Sequence, residues 1–411
     1  MAGPLTLTGL PGEGGASPLR LLEGIKVVAF TQFLLGPAAV QHLADMGADV
    51  VKVEPPGRGA WERSWSGADT FLNGVSAFFM LANRNQRSVT LNLKSPAGVD
   101  AARRLIAASD VVVENFRPGV MDRLGLGYEA AAQLNERIIY ARASGYGSAS
   151  PFRALPGQDL LVQAISGLGA ITGRSGQAPT PLGAAVVDQH GASLLAMGIL
   201  GALVNRERTG EGQIVEVVML QAALDLQQEP VVYHLNGARL ARPDSPVADT
   251  FHEAPYGFYP TADGYVAVSM ASVKELSEVL GNPPALAGYE DPEVAFTQRD
   301  EIGSALEPLF ANRDTASWVE LLRSHGIWCA PVQNLEEAFA DPVMQYADPI
   351  LELNHPQAGR VRVLKHPVTY NSGEAGLTRM PPELGEHTTE VLRELGYSDA
   401  EIEAMDQRGD T

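Results

Sequence analysis

From Ile25 to Val218 the chain alternates short β-branched apolar runs with stretches of helical spacing, and this alternation constrains the fold more than any other feature. Ile25–Phe30 (IKVVAF) reads as a buried strand, Pro37–Met46 as a helix opened by proline, and Asp49–Glu54 (DVVKVE) as a second strand. Gly47 suits the helix C-cap between them. Ser88–Leu93 is a further strand, after which Ser95-Pro96 cap and open a helix to about Ala108. Val111–Glu114 and Ile138–Ala143 are two more strands. Strands separated by helices imply βαβ units, hence an α/β fold with a mainly parallel sheet covered on both faces.

After Gln213–Val218 the pattern changes. A long helical pattern runs to about Leu235, followed by the Pro-rich, loop-like ARPDSPVADTFHEAPYG. Gly264–Met270 alternates like a half-exposed strand, 272–325 is acidic and helix-rich, and Cys329–Gln333 reads as a closing strand. A smaller domain is therefore expected at 226–330, between an N-terminal part, 1–225, and a C-terminal part, 331–411. That last part carries two helical patterns and a strand near Arg360–Lys365.

Composition narrows the partners. The 411 residues carry a formal net charge of −19, which argues against nucleic acid or anionic lipid as the main ligand. Any anionic ligand must be held by a local cluster of Lys, Arg or backbone N–H groups. A hydrophobic fraction of 45% with 19% charged residues excludes global disorder. No stretch approaches the ~20 apolar residues of a membrane span. Cys329 is the only cysteine, so no intrachain disulfide is possible, which fits a cytoplasmic setting. The opening MAGPLTLTGLPGEGGASPLR lacks a signal-peptide pattern and reads as a flexible lead-in.

Several chemistries lack their motif. The first βα turn, Phe30-Thr31-Gln32-Phe33-Leu34-Leu35-Gly36-Pro37, has only Gly36 where a dinucleotide turn wants GxGxxG, although Glu54 mimics a ribose-binding acid. GxxxxGK[ST], HExxH, a zinc-type Cys pair and GxSxG are absent. Four polar stretches remain: Asn83–Ser88, Glu114–Gly119 with Met121–Gly125, Gly157-Gln158-Asp159, and Gly183–Gly191. The first two put Arg84, Arg87, Arg117 and Arg123 near strand ends, either as a phosphate-binding edge or as solvated loop charges. Asp188 reads either as an N-cap or as a nucleophile. The two are compatible, since a helix N-terminus favours an ionised carboxylate. Asp159 could likewise cap the helix after Pro156-Gly157.

Together these stretches resemble the family III CoA-transferases, the group containing formyl-CoA transferase and carnitine CoA-transferase and related to the α-methylacyl-CoA racemases. GADVVKVEPPGRG, NRNQRSVTLNLKSPAG, VVENFRPGVMDRLGLGYE, QAISGLGAITG and PPELGEHTTEVLRELG carry the similarity. The resemblance implies a Rossmann-like large domain built from both chain ends, a smaller α+β domain, and an interlocked homodimer. It implies that Asp188 is the catalytic aspartate and that Asn115, Phe116, Arg117 and Arg123 hold the adenine and phosphate end of coenzyme A. Leu34, Leu35, Leu91, Asn92 and Lys94 match other CoA contacts, and Asp159, Gln158 and Gln32 line the site. Gln32, Leu34 and Pro55 depart from formyl-CoA transferase, as does PDSPVADTFHEAPYGFYP in place of its glycine-rich loop.

The implied reaction moves CoA from an acyl-CoA to a free carboxylic acid through an aspartyl anhydride and an aspartyl-CoA thioester, with neither metal nor ATP. The alternative within the fold is an acyl-CoA racemase or epimerase, which places His where Gln158 stands, and glutamine cannot exchange a proton at neutral pH. A CoA-binding protein without catalysis is the third reading; it would have no use for Asp188.

Overall fold

A computed structural model describes residues 18–411; most of the expected lead-in, 1–17, lies outside the described residues. Two compact units divide the chain. The first comprises 18–162, 185–223 and 349–411; the second comprises 163–184 and 224–348. The second thus takes in 163–184 and 331–348, which the strand–helix pattern assigns to the large domain.

The first unit is built on a parallel sheet. Its strands are β1 (Lys26–Phe30), β2 (Asp49–Glu54), β5 (Gln86–Thr90), β6 (Val111–Glu114), β7 (Ile139–Ser144) and β8 (Gln213–Val218), with a short hairpin, β3 (Phe71–Leu72) and β4 (Val75–Ser76), between β2 and β5. The order across the sheet is β5-β2-β1-β6-β7-β8, every pair parallel. Apolar runs such as VVV in β6 are buried on both sides because a helical layer covers each face. On one face, Val27, Val113 and Ala141 pack with the first helix (Leu35–Asp45) and a long helix (Val186–Thr209). On the other, Val28, Phe30 and Val112 pack with the helix Pro96–Ala107, whose cap Ser95 accepts the Gly98 N–H at 3.1 Å.

The C-terminal stretch closes the β5 edge. His387 N–H donates to the Ser88 carbonyl at 2.9 Å, and Val391, Leu392, Ile402 and Met405 complete the second core layer. An edge strand left open would be a template for unwanted pairing. The hairpin of β12 (Ile350–His355) and β13 (Gly359–Leu364) packs through Leu353 and Val361 on Met80.

The long helix departs from the sequence expectation. Its 24 residues are apolar enough in composition to cross a bilayer, although no such stretch was expected. Val187, Leu195 and Ile199 are nevertheless fully buried against the sheet. It also crosses the first helix closely: a Cβ on Gly191 would lie 2.7 Å from Leu35 Cδ1. The helical pattern after β8 divides into Met219–Leu226 and Gln228–Leu235.

The second unit has a three-stranded antiparallel sheet of β9 (Gly257–Pro260), β10 (Tyr265–Ser269) and β11 (Trp328–Pro331), with β10 central. Val266 and Val268 alternate inward, as the half-exposed pattern requires, and meet Leu306, Phe310, Trp318 and Leu322 from two helices.

Candidate active site

Asp188 sits in the first turn of the long helix, three residues beyond the N-cap Ala185. The backbone N–H groups of Val187 and Asp188 donate to one oxygen of Asp159, at 2.8 and 3.0 Å. Asp159 is therefore the cap, supplied from the helix Asp159–Ile165, and Asp188 is left out of the capping role the sequence allowed it. Asp159 is 7% exposed. Its neighbour Gln158 is exposed.

This changes the electrostatics of Asp188. Burial first, and the neighbouring Asp159 second, push its carboxyl up from the ordinary 3.8 to about 7. The helix N-terminus, expected to keep Asp188 ionised, does not prevail because two of its N–H groups point at Asp159. The result is a poorly solvated carboxylate that ionises near neutrality.

The turn from β1 leads into the first helix, whose Leu35 meets the Asp188 helix at Gly191, one helical turn beyond Asp188. It is held rigidly. Asn115 brackets Gln32, accepting its N–H at 2.9 Å and donating to its carbonyl at 2.8 Å. Gly36 makes room for that clamp, since a Cβ there would lie 2.9 Å from Asn115 Cγ. Phe33 takes a positive φ of 62° and donates its N–H to Glu62 at 3.0 Å. Glu62 in turn pairs with Lys52 at 2.7 Å, both side chains being fully buried, and Lys52 also donates to the Thr31 carbonyl at 3.2 Å. Glu54 holds no ribose: it accepts both Arg63 donors at 2.6 and 2.7 Å, Ala60 N–H at 2.9 Å and Ser88 Oγ at 2.7 Å. Burial opposes its charge, but the Arg63 pair holds its carboxyl below the ordinary value.

The remaining predicted residues lie on the loops that follow β6 and β5, at the same end of the strands. Arg117 and Arg123 are exposed after β6, and among the described residues neither side chain has a hydrogen bond or ion pair. Phe116 is half-buried there. After β5, Leu91 is buried in the core, and Asn92 donates from its amide to the Gly409 carbonyl at 3.2 Å. Lys94 has an exposed side chain, without a partner among the described residues. Leu34 and Leu35 are 6% and 4% exposed, their side chains packed in the core.

Arg84 and Arg87 are not part of a phosphate edge. Arg84 makes a two-bond pair with Asp45 at 2.9 and 2.6 Å, and Arg87 pairs with Asp49, Glu390 and Glu394. Arg87 lies at the start of β5 and Arg84 just before it, the opposite end of the strands from the loops that bind ligands in such sheets.

A cavity of about 330 Å³ opens between the ends of β6 and β7, lined by Glu114, Phe116, Gly119, Tyr128, Arg142 and Arg153 among others. Burial pushes Glu114 up to about 7, against the Phe116 N–H it accepts at 2.9 Å. Sequence reasoning passed over Lys52 and Glu62 and named Glu114 only as the start of a polar stretch. The available signal was Lys52 itself, a charge set between the valines of DVVKVE.

Residues 22–388 match the family described as CoA-transferase family III. The chain is 32% identical over 405 residues to succinyl-CoA:glutarate CoA-transferase of Mus musculus, covering 97% of this chain and 92% of that protein. It is 33% identical over 396 residues to a probable fatty acyl-CoA transferase of Mycobacterium tuberculosis, covering 92% and 98%. Among solved structures, a CAIB/BAIF family protein from Brucella suis superposes with a TM-score of 0.78 at 29% identity, covering 92% of this chain and 100% of that one.

Proposed function

The chain belongs to CoA-transferase family III, and from that membership we propose that it transfers CoA from an acyl-CoA thioester to a free carboxylic acid with Asp188 as nucleophile. The observation that carries the reading is the Asp159–Asp188 arrangement. A second carboxylate caps the helix, so the first is free for bond making and is poised near neutrality.

The steps balance without loss of thioester energy. Asp188 attacks the thioester carbonyl, the C–S bond breaks, and an aspartyl-acyl anhydride forms with CoA thiolate released. The thiolate attacks the aspartyl carbonyl, expelling the first acid as carboxylate and leaving an aspartyl-CoA thioester. The incoming carboxylate attacks that thioester, and the thiolate then attacks the new acyl carbonyl, returning Asp188 as carboxylate. Backbone N–H groups in the opening turn of the first helix, beyond the engaged Gln32 and Phe33, stabilise each oxyanion in a site shielded from water. Arg117, Arg123 and Lys94, whose side chains are unpaired among the described residues of an acidic chain, supply cations for the CoA phosphates.

We further propose a homodimer. The middle turns of the long helix, from Leu194 to Val204, are apolar on every side, yet Met197 and Val204 stay 63% and 55% exposed on its outer side, a surface suited to a second copy.

A racemase fits less well. Its second base would have to come from Gln158, which cannot titrate, and Asp159 is engaged by two backbone donors. Incubation with labelled acyl-CoA and a panel of acids, read by mass spectrometry, separates the readings. A transferase moves CoA between acids, a racemase washes out the α-proton, and a CoA-binding protein does neither.

A further inference from the structure

Asn92, two residues after β5, is held from several sides at once. Its main-chain N–H donates to the Asp410 carbonyl at 2.8 Å, and its side-chain amide donates to the Gly409 carbonyl at 3.2 Å. The oxygen of that amide accepts the Lys94 N–H at 3.1 Å. The Asn92 carbonyl accepts the Ser95 N–H at 2.9 Å, closing a turn over 92–95, and a Cβ on Gly98 would collide with that carbonyl. Every polar atom of Asn92 is thus engaged within the chain, while the side chain of Lys94 stays exposed.

The accepting carbonyls lie far along the chain. Gly409 is 317 residues beyond Asn92, at the end of the helix Asp399–Gln407. Ile402 and Met405 anchor that helix in the second core layer. Gly409, at a φ of 71°, then turns the chain: its N–H donates to the Asp406 carbonyl at 2.9 Å, and the Asp410 N–H donates to the Met405 carbonyl at 2.9 Å. These paired bonds are those of a helix ended by glycine, and they leave the Gly409 and Asp410 carbonyls outside the helix. Asp410 itself is 5% exposed and accepts from Arg408 Nε at 2.9 Å.

Ending the helix requires only the N–H groups of Gly409 and Asp410. Their carbonyls could bond to water; both instead meet one residue of the loop that carries Lys94. A lysine on a fluctuating loop has to be ordered when a phosphate arrives, and that ordering weakens binding. A loop already held in shape loses less freedom, so the same contact binds more tightly.

We propose that Gly409 and Asp410 form a positioning hook for coenzyme binding, which acts through Asn92 to hold the Lys94 loop in its binding shape before an acyl-CoA arrives. This rests on the reading of Lys94 as a phosphate cation given above. Gly409, Asp410 and Asn92 are positioning residues that touch no reacting atom. Gly409 offers the cleanest variants, because a Cβ there meets nothing within 4 Å and only its φ resists substitution. Valine adopts that φ only under strain, whereas asparagine tolerates it.

The test measures exchange between the acyl-CoA that the panel identifies and its own isotope-labelled acid, at saturating acid. Gly409→Val should raise KM for the acyl-CoA about fivefold with kcat held within about twofold, and Gly409→Asn should restore the wild-type KM. Asn92→Ala, which removes the side-chain bridge without backbone strain, should raise KM in the same way and serves if Gly409→Val does not fold. On a Lys94→Ala background neither substitution should raise KM further by more than about twofold, since both act through Lys94. Arg84→Ala, which destabilises the other end of β5, controls for lost stability and should leave KM unchanged. A lowered melting temperature with an unchanged KM in both Gly409→Val and Asn92→Ala overturns the proposal and makes the hook a helix end alone. Effects that add fully to that of Lys94→Ala overturn it too, and the transferase reading survives either outcome. If no thioester exchanges, the transferase reading fails, and calorimetry with CoA decides the hook alone. Weaker CoA binding in Gly409→Val that Gly409→Asn restores supports it; wild-type affinity in both Gly409→Val and Asn92→Ala refutes it.

Discussion

Asp188 ionises near pH 7 because it is buried beside Asp159, and two consequences can be measured. In the proposed mechanism only the carboxylate attacks, so kcat/KM should fall as pH drops below about 7 and level off above it. Stability should move the other way. The unfolded chain ionises Asp188 near the ordinary 3.8 and the folded chain only at about 7, so between these values the folded state holds the extra proton. Stability therefore declines as pH rises through that window. Asp188→Asn removes this cost, so the variant should melt above wild type at about pH 8, with the gap closing toward about pH 4. Glu114 contributes the same slope to both proteins and cancels in the difference. Equal melting temperatures at all pH values would contradict the placement of Asp188. Arg123 belongs to this scale too. A guanidinium–phosphate bond is worth about 1.5–3 kcal/mol, so Arg123→Ala should weaken CoA binding by about ten-fold or more in calorimetry. Arg84→Ala should leave CoA binding unchanged and lower the melting temperature, because its partner is the buried Asp45.

At the scale of elements, the β1 turn depends on a pair that no local pattern reveals. Lys52→Met should leave Glu62 buried without its cation and cost about 3–5 kcal/mol in denaturant unfolding. A loss under about 1 kcal/mol would show that Glu62 is held by Phe33 and solvent instead. The strands of the parallel sheet were legible because unbroken β-branched runs need burial on both faces. Ser95 and Gly47 marked helix ends for the same local reasons. What stayed hidden depends on contacts distant in sequence. Arg84 and Arg87 look like any loop cations until the strand direction shows which end they occupy. Asp159 looks like a cap for its own helix until the fold sets it under another, 28 residues on. Asp188 stood out in the sequence as a candidate nucleophile, but the N–H donors expected to keep it ionised are taken by Asp159.

At the scale of the whole molecule, the C-terminal stretch is part of the first unit's core, so removing 381–411 should expose the β5 edge and abolish soluble expression. The second unit was only partly legible, since 163–184 carries a helical pattern no different from that of the large domain. The proposed homodimer should appear in sedimentation as a species of twice the 43.7 kDa chain mass, and an active monomer would contradict it. The central claim, however, is that Asp188 makes and breaks the bonds. Its most direct test is to give the enzyme an acyl-CoA, quench with hydroxylamine, and map the modified peptide by mass spectrometry. A hydroxamate at Asp188, absent from Asp188→Asn, is the result expected. A hydroxamate at Asp159 with Asp188 untouched would mean that the cap and the nucleophile have been exchanged.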